Sequence, residues 1–250
     1  MPVMAKNLVF ALQIFIAYTV LSIGCFLMLR TIIGYTSFRD DVQFLALKQA
    51  YVHNTVWKTA FYIHVFSAVI ALLAGFTQFS PQLLRDSPQV HRLIGKIYVA
   101  NILFINFPVG LIMGIYANGG LPGKTAFLLL DCLWFIFTLR AFICAKQRQF
   151  MDHKNYMIRS FALTFSAITL RTWKLILSSI FTIDLAELYV IDAWLGFVPN
   201  LLIAEMIIRT SGVRRKQAYR PKTSVDAMTK KNPNVTNVTT NTEVKATNLD

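Results

Sequence analysis

Five ionisable side chains, His153, Lys154, Arg159, Arg171 and Lys174, sit in HKNYMIRSFALTFSAITLRTWK, a stretch that otherwise reads as one membrane-length apolar helix. A charge at a bilayer centre costs roughly 2.5–3.5 kcal/mol on insertion scales, so each of these groups needs a partner, water or an interface. At about 100° per residue, His153 and Arg171 point the same way from opposite ends of such a helix, with Ser160, Thr164 and Ala167 between them. A polar and small-residue stripe belongs inside a bundle, where its donors find acceptors.

A second stripe, His64, Ser67, Ala68, Ala71, Gly75 and Gln78, recurs at spacings of three or four residues, and its small members fit close helix packing. The 1.5 Å helical rise puts His64 and Asp131 roughly 8 Å, and Arg171 about 9 Å, below the same boundary. A carboxylate and a guanidinium at one depth are expected to pair, with His64 joining them, either as a structural ion pair or as a substrate, quinone or proton site. With Gln78, these residues make up an intramembrane polar cluster. Near the opposite boundary lie His91, Arg92, Arg140, His153 and Arg159. His91 and His153 open two helices and are suited to ligate one b-type haem, with Arg92 and Arg159 on its propionates. The same residues also read as interface histidines and snorkelling arginines that need no cofactor.

The elements that position them follow from composition. The 250 residues are 55% hydrophobic and 15% charged, with 20 Phe and a mean hydropathy of +0.51, too apolar for an ordinary soluble domain. Six spans of about 20 residues, the length that crosses the hydrocarbon core, are expected: Leu8–Leu29, Ala60–Phe79, Leu93–Tyr116, Ala126–Ala145, Met157–Leu177 and Leu188–Ile208. The fold class is therefore all-α, a polytopic membrane helix bundle. The first span is expected to be a retained helix, since it is longer than a signal h-region and lacks a small-residue cleavage site. Asn106 and Pro108 mark a kink in the third, and NGGLPG, Asn118–Gly123, reads as a tight turn. An amphipathic helix is expected around Val42–Val52.

The net charge of +13 argues orientation rather than a nucleic-acid partner. Lys6, Arg85, Arg92, Lys96, Lys146, Arg148, Lys154 and the cluster from Arg214 to Lys222 fall on one side, which places both termini in the cytoplasm. The six-helix domain covers residues 1–212, with a motif core at 57–180. Residues 213–250 read as a basic, then disordered cytoplasmic tail, where the sequons at Asn234 and Asn237 would be out of reach of glycosylation. Cys25, Cys132 and Cys144 have no disulfide or zinc spacing and read as core residues, so no metal site is expected. No P-loop, G-x-G-x-x-G, G-x-S-x-G or H-E-x-x-H is present.

The segments His91-Arg-Leu-Ile-Gly95-Lys-Ile-Tyr98 and His153-Lys-Asn-Tyr-Met157-Ile-Arg159-Ser160, with His64 and Gly75-Phe-Thr-Gln78, resemble an uncharacterised family of predicted integral membrane proteins found mainly in bacteria. The resemblance covers roughly Phe61–Lys174 and implies a multi-pass protein of a bacterial inner membrane without implying an activity. A looser similarity to multi-helix b-type cytochromes rests on histidines of adjacent helices. The leading expectation is a redox or ligand-binding membrane protein of b-haem or quinone type, its partners the bilayer and a small molecule. A proton-coupled carrier gated by Asp131 or His64, and a non-catalytic assembly partner, are the alternatives. Whether the protein is an enzyme is left open at this stage.

Overall fold

In lipid a chain must satisfy its backbone N–H and C=O groups within each apolar run, which favours helices. The computed structural model describes residues 2–181 and 184–218, with side chains for most positions from Ser22 onward, and no strand occurs among them. The helices are α1 (Pro2–Tyr35), α2 (Thr55–Gln78), the short α3 (Pro81–Asp86), α4 (Pro88–Ala100), α5 (Phe107–Ile115), α6 (Gly120–Lys146), α7 (Phe150–Thr164), α8 (Ser166–Ile180), α9 (Leu185–Leu195) and α10 (Val198–Ala218). The chain divides into Met1–Met206 and Ile207–Asp250. Of the second part only the end of α10 is described, and the expected tail beyond Ala218 lies outside the described residues.

Four stretches are long and apolar enough to cross a membrane: Thr55–Gln78, Pro88–Ile115, Gly120–Lys146 and Ala186–Gly212. They overlap the second, third, fourth and sixth expected spans. The first falls within α1, whose Ser22–Tyr35 portion is a shorter apolar helix. The fifth is not one helix but two, α7 and α8, interrupted at Phe165. Local hydroxyls flank the interruption: Ser166 Oγ donates to the Leu163 carbonyl at 2.5 Å and Thr164 Oγ1 to that of Ser160 at 3.1 Å. Such back-bonding competes with the helix ladder and bends it.

The third span is interrupted too. Residues Asn101–Asn106 form a π-helical turn between α4 and α5, with Pro108 in the first turn of α5. Proline cannot donate to the preceding turn, and an inserted residue widens the ladder instead. The Asn106 side chain donates to the Asn101 carbonyl at 3.3 Å, which ties the two ends of the turn together.

Ends are fixed by capping. Asn54 accepts from the Trp57 amide at 3.2 Å, Ser80 from that of Leu83 at 3.2 Å, and Asp184 from that of Ala186 at 3.0 Å. Gly119 and Gly120, at φ of 79° and 62°, turn the chain into α6, a conformation that glycine adopts without steric cost. The helix expected around Val42–Val52 is only a 3-10 turn, Leu45–Lys48. Its neighbours bond outward instead: the Phe44 amide to the Tyr35 hydroxyl at 3.3 Å and the Gln43 side chain to the Thr31 carbonyl at 3.2 Å.

Large apolar side chains face outward, among them Phe104 at 76% and Leu121 at 78% exposure, as expected of a surface that lipid rather than water covers. Cys144 is buried but Cys132 is exposed, which corrects the expectation that all three thiols are core residues; Cys132 falls on the outward face of α6.

Candidate functional site

The two motif segments meet in a dry polar network. Tyr98, fully buried, shares hydrogen bonds of 2.8 Å with both Ser160 Oγ and Thr164 Oγ1. Trp134 Nε1 donates to Thr164 Oγ1 at 3.0 Å, and Thr138 Oγ1 lies 2.7 Å from Ser160 Oγ. Beside it, Asn101 donates to the Ser67 carbonyl at 2.8 Å, and Ser67 Oγ to Asn106 Oδ1 at 3.2 Å. Buried hydroxyls and amides bonded in this way fix helix pairing, although Asn101 Oδ1 has no partner among the described residues. The motif glycine Gly95 makes room for Gln78, whose Oε1 would lie 2.9 Å from a Cβ there. Gln78 thus packs against α4 and does not line the cavity that holds His64, Asp131 and Arg171.

The residues proposed for haem are arranged differently from expectation in one respect. His153 Nδ1 bonds the Ala141 carbonyl at 2.8 Å, which orients the ring and leaves Nε2 for another partner. His91 Nδ1 is buried with no hydrogen-bond partner, and His91 lies within electrostatic reach of His153 and Arg92. Arg159, however, is committed elsewhere: Nε and Nη2 reach Glu205 Oε1 and Oε2 at 2.5 and 3.1 Å, and the guanidinium lies over the rings of Phe137 and Tyr156. A bidentate fork of that kind fills the donors that a propionate would use. Arg92 is exposed.

His64, Asp131 and Arg171 do come to one place, yet not as an ion pair. All three line a cavity of about 790 Å³ enclosed by α1, the 3-10 turn, α2, α5, α6, α7, α8 and α9. None of the four ion pairs among the described residues includes Asp131 or Arg171. Asp131, 4% exposed, lies against Gly110, where a Cβ would sit 2.6 Å from Oδ1; among the described residues its Oδ2 has no hydrogen-bond partner, nor has His64 Nδ1 or Trp57 Nε1, another cavity residue. Arg171 donates to the Ala167 carbonyl of its own helix at 2.5 Å. The expected pairing of Asp131 with Arg171 is therefore corrected: both line the cavity, but neither bonds the other.

One cavity residue escaped the sequence reading. Lys48 is 2% exposed, and its ammonium donates to the Tyr116 carbonyl and, at 2.7 Å, to Asn118 Oδ1. Phe44, Tyr51 and Trp57 ring it at 5.2–5.9 Å, within cation–π range. No local pattern signals a lysine whose partners lie 68 and 70 residues away. Burial, and next the charge of Lys124, pull its pKa from 10.5 down to about 8.

That displacement sets a pH dependence. Between about 8 and 10.5 the unfolded chain holds the Lys48 proton while the folded chain releases it, so this group makes stability rise with pH across that window. Melting in detergent at pH 7.5, 9 and 10.5 should show the native protein gaining a few degrees relative to Lys48→Met, an effect of about 1 kcal/mol or more. Parallel profiles would mean that the ammonium is not held in a desolvated site.

Comparison with known proteins follows the same outline. The model of a family described as "Predicted membrane protein (DUF2306)" matches residues 61–208, more than half of the chain and including both motif segments, His64, Asp131, Arg171 and Glu205. No curated protein and no solved structure matches the chain.

Proposed function

The chain belongs to the DUF2306 family of predicted membrane proteins, and from that premise we propose that it is a ligand-binding protein of a bacterial plasma membrane. Its six spans would comprise the four long apolar stretches, α1, and α7 with α8, both termini cytoplasmic by the distribution of Lys and Arg. The ligand is a small amphipathic molecule with acceptor oxygens on its head, a class that includes quinones and acyl acids. The observation that carries this reading is the cavity itself, of a volume typical for small-molecule sites, roughly 300–1,000 Å³, whose lining residues Trp57, His64 and Asp131 each carry a buried polar atom with no hydrogen-bond partner among the described residues.

Because Trp57 and Trp134 line the cavity, occupancy is readable as fluorescence quenching. Quinone-, alcohol- and acid-headed amphiphiles carrying bromine or a quinone ring should include at least one that quenches saturably in detergent. Ala68→Phe, which fills the cavity from α2, should weaken that binding about tenfold or more through lost volume. Failure of every head group to saturate would end the ligand reading.

Two finer roles have specific support. The hydrogen bond from His153 Nδ1 to Ala141 leaves Nε2 as the ligating nitrogen, and His91 is within electrostatic reach of His153, which supports a redox protein with one b-type haem; a reduced α band in the purified protein is the expected sign, and a colourless preparation made with haem supplied would remove it. The interruption at Phe165, flanked by the cavity residues Thr164 and Ser166, favours a carrier, since broken helices line transport sites. Asp131→Asn would then abolish proteoliposome flux in a folded protein.

A further inference from the structure

Four cations, Arg30, Lys48, Arg171 and Lys174, line the cavity against one carboxylate, Asp131. They differ in how they are compensated. Arg30 and Lys174 are exposed, and Lys174 has Asp192 within electrostatic reach. Lys48 is spoken for by neutral oxygens and rings. Arg171 is only partly exposed and, among the described residues, bonds just its own helix's Ala167 carbonyl with one of five guanidinium N–H groups, with the neutral Tyr35 phenol in electrostatic reach. Asp131 and His64 can each change charge by gaining or losing a proton, whereas a guanidinium in a protein cannot. A permanent charge inside hydrocarbon with no counter-charge bonded to it is the group whose balance must come from outside the chain.

We infer that the head of the cavity's ligand is an anionic oxygen group, a carboxylate or phosphate monoester on a single apolar chain, seated on Arg171. This rests on the ligand-binding reading above. A planar fork of N–H donors matches a carboxylate or phosphate edge-on, and Trp57, also on the cavity lining, has an indole N–H with no partner among the described residues. Asp131, lying against Gly110, is separate from Arg171 and able to meet a hydroxyl of the ligand or a proton. The volume of about 790 Å³ suits one chain; a two-chain lipid carries about twice the apolar bulk of its single-chain counterpart and exceeds the usual small-molecule range of roughly 300–1,000 Å³.

The test uses the full chain in nonionic detergent with Trp173→Phe and Trp194→Phe, which leaves the two cavity tryptophans as reporters. Dibromostearate, its alcohol with the same tail, and the corresponding alkyl phosphate are titrated. Saturable quenching by the acid or the phosphate, with the alcohol about tenfold weaker or worse, is expected, and whichever anion binds more tightly identifies the head. Arg171→Gln should remove the preference for the anion, while Lys154→Gln, at an exposed cation outside the cavity lining, keeps it. Equal quenching by acid and alcohol overturns the anionic head and leaves ligand binding intact; no saturation by any of the three overturns both. The acid-against-alcohol comparison in the unsubstituted Arg171 background decides the matter even if Arg171→Gln does not fold.

Discussion

Gly75→Val is expected to destabilise the bundle by about 3 kcal/mol, at the upper end of overpacking costs. A Cβ at position 75 would lie 2.4 and 2.5 Å from Phe161 Cδ2 and Cε2 and 3.3 Å from Tyr98 Cε2. The Phe161 ring has little room to retreat, since Phe76 and Phe79 each pack against it with ring centroids 5.2 Å away. The alternative is separation of α2 from α7, which would open the core at Tyr98. Detergent-denaturant titration followed by helicity measures the loss. Gly212→Ala is the control: nothing lies within 4 Å of its added carbon, so stability there should hold or improve slightly through helix propensity. Equal behaviour of the two variants would contradict the close contact.

The second large effect is expected at Tyr98. Tyr98→Phe keeps the ring and deletes one hydroxyl that serves both Ser160 and Thr164, at a cost of about 1–3 kcal/mol for buried groups deprived of a partner. Ser160→Ala should cost a similar amount, and the double variant less than the sum, because the two deletions remove the same bond. Strict additivity would show that the hydroxyls do not bond. The change also has a functional readout: Trp134 and Thr164 line the cavity, so Tyr98→Phe should shift the fluorescence of the cavity tryptophans while Tyr51→Phe, at the 3-10 turn side, leaves the Tyr98 network intact.

These two positions explain why the recurring motif residues read ambiguously as chemistry. Gly95, Tyr98 and Ser160 hold helices together; Arg159 is bonded to Glu205, 46 residues away. The helices themselves were legible, because apolar length alone dictates them, and the Asn106–Pro108 irregularity was legible because proline lacks an N–H. Pairing was not. Depth follows from counting residues along a helix, but whether Asp131 and Arg171 touch depends on which way each helix faces and what lies between them, and a span count carries neither. The interruption at Phe165 was missed for a related reason: serine and threonine in an apolar run are compatible with a continuous helix, and only their acceptors, the Leu163 and Ser160 carbonyls, reveal competition with the ladder. Lys48 left no trace because a cation in a connecting segment ordinarily points to water.

The lysine tether also has a bearing on biogenesis. Its acceptors, Tyr116 and Asn118, leave the ribosome roughly seventy residues after it, so although Phe44 and Gln43 can already bond Tyr35 and Thr31, the Lys48 ammonium lacks both oxygens until α2, α4 and α5 have been made. The clasp closes late, and the compartment beneath it is completed only when the polypeptide that forms its remaining walls has arrived.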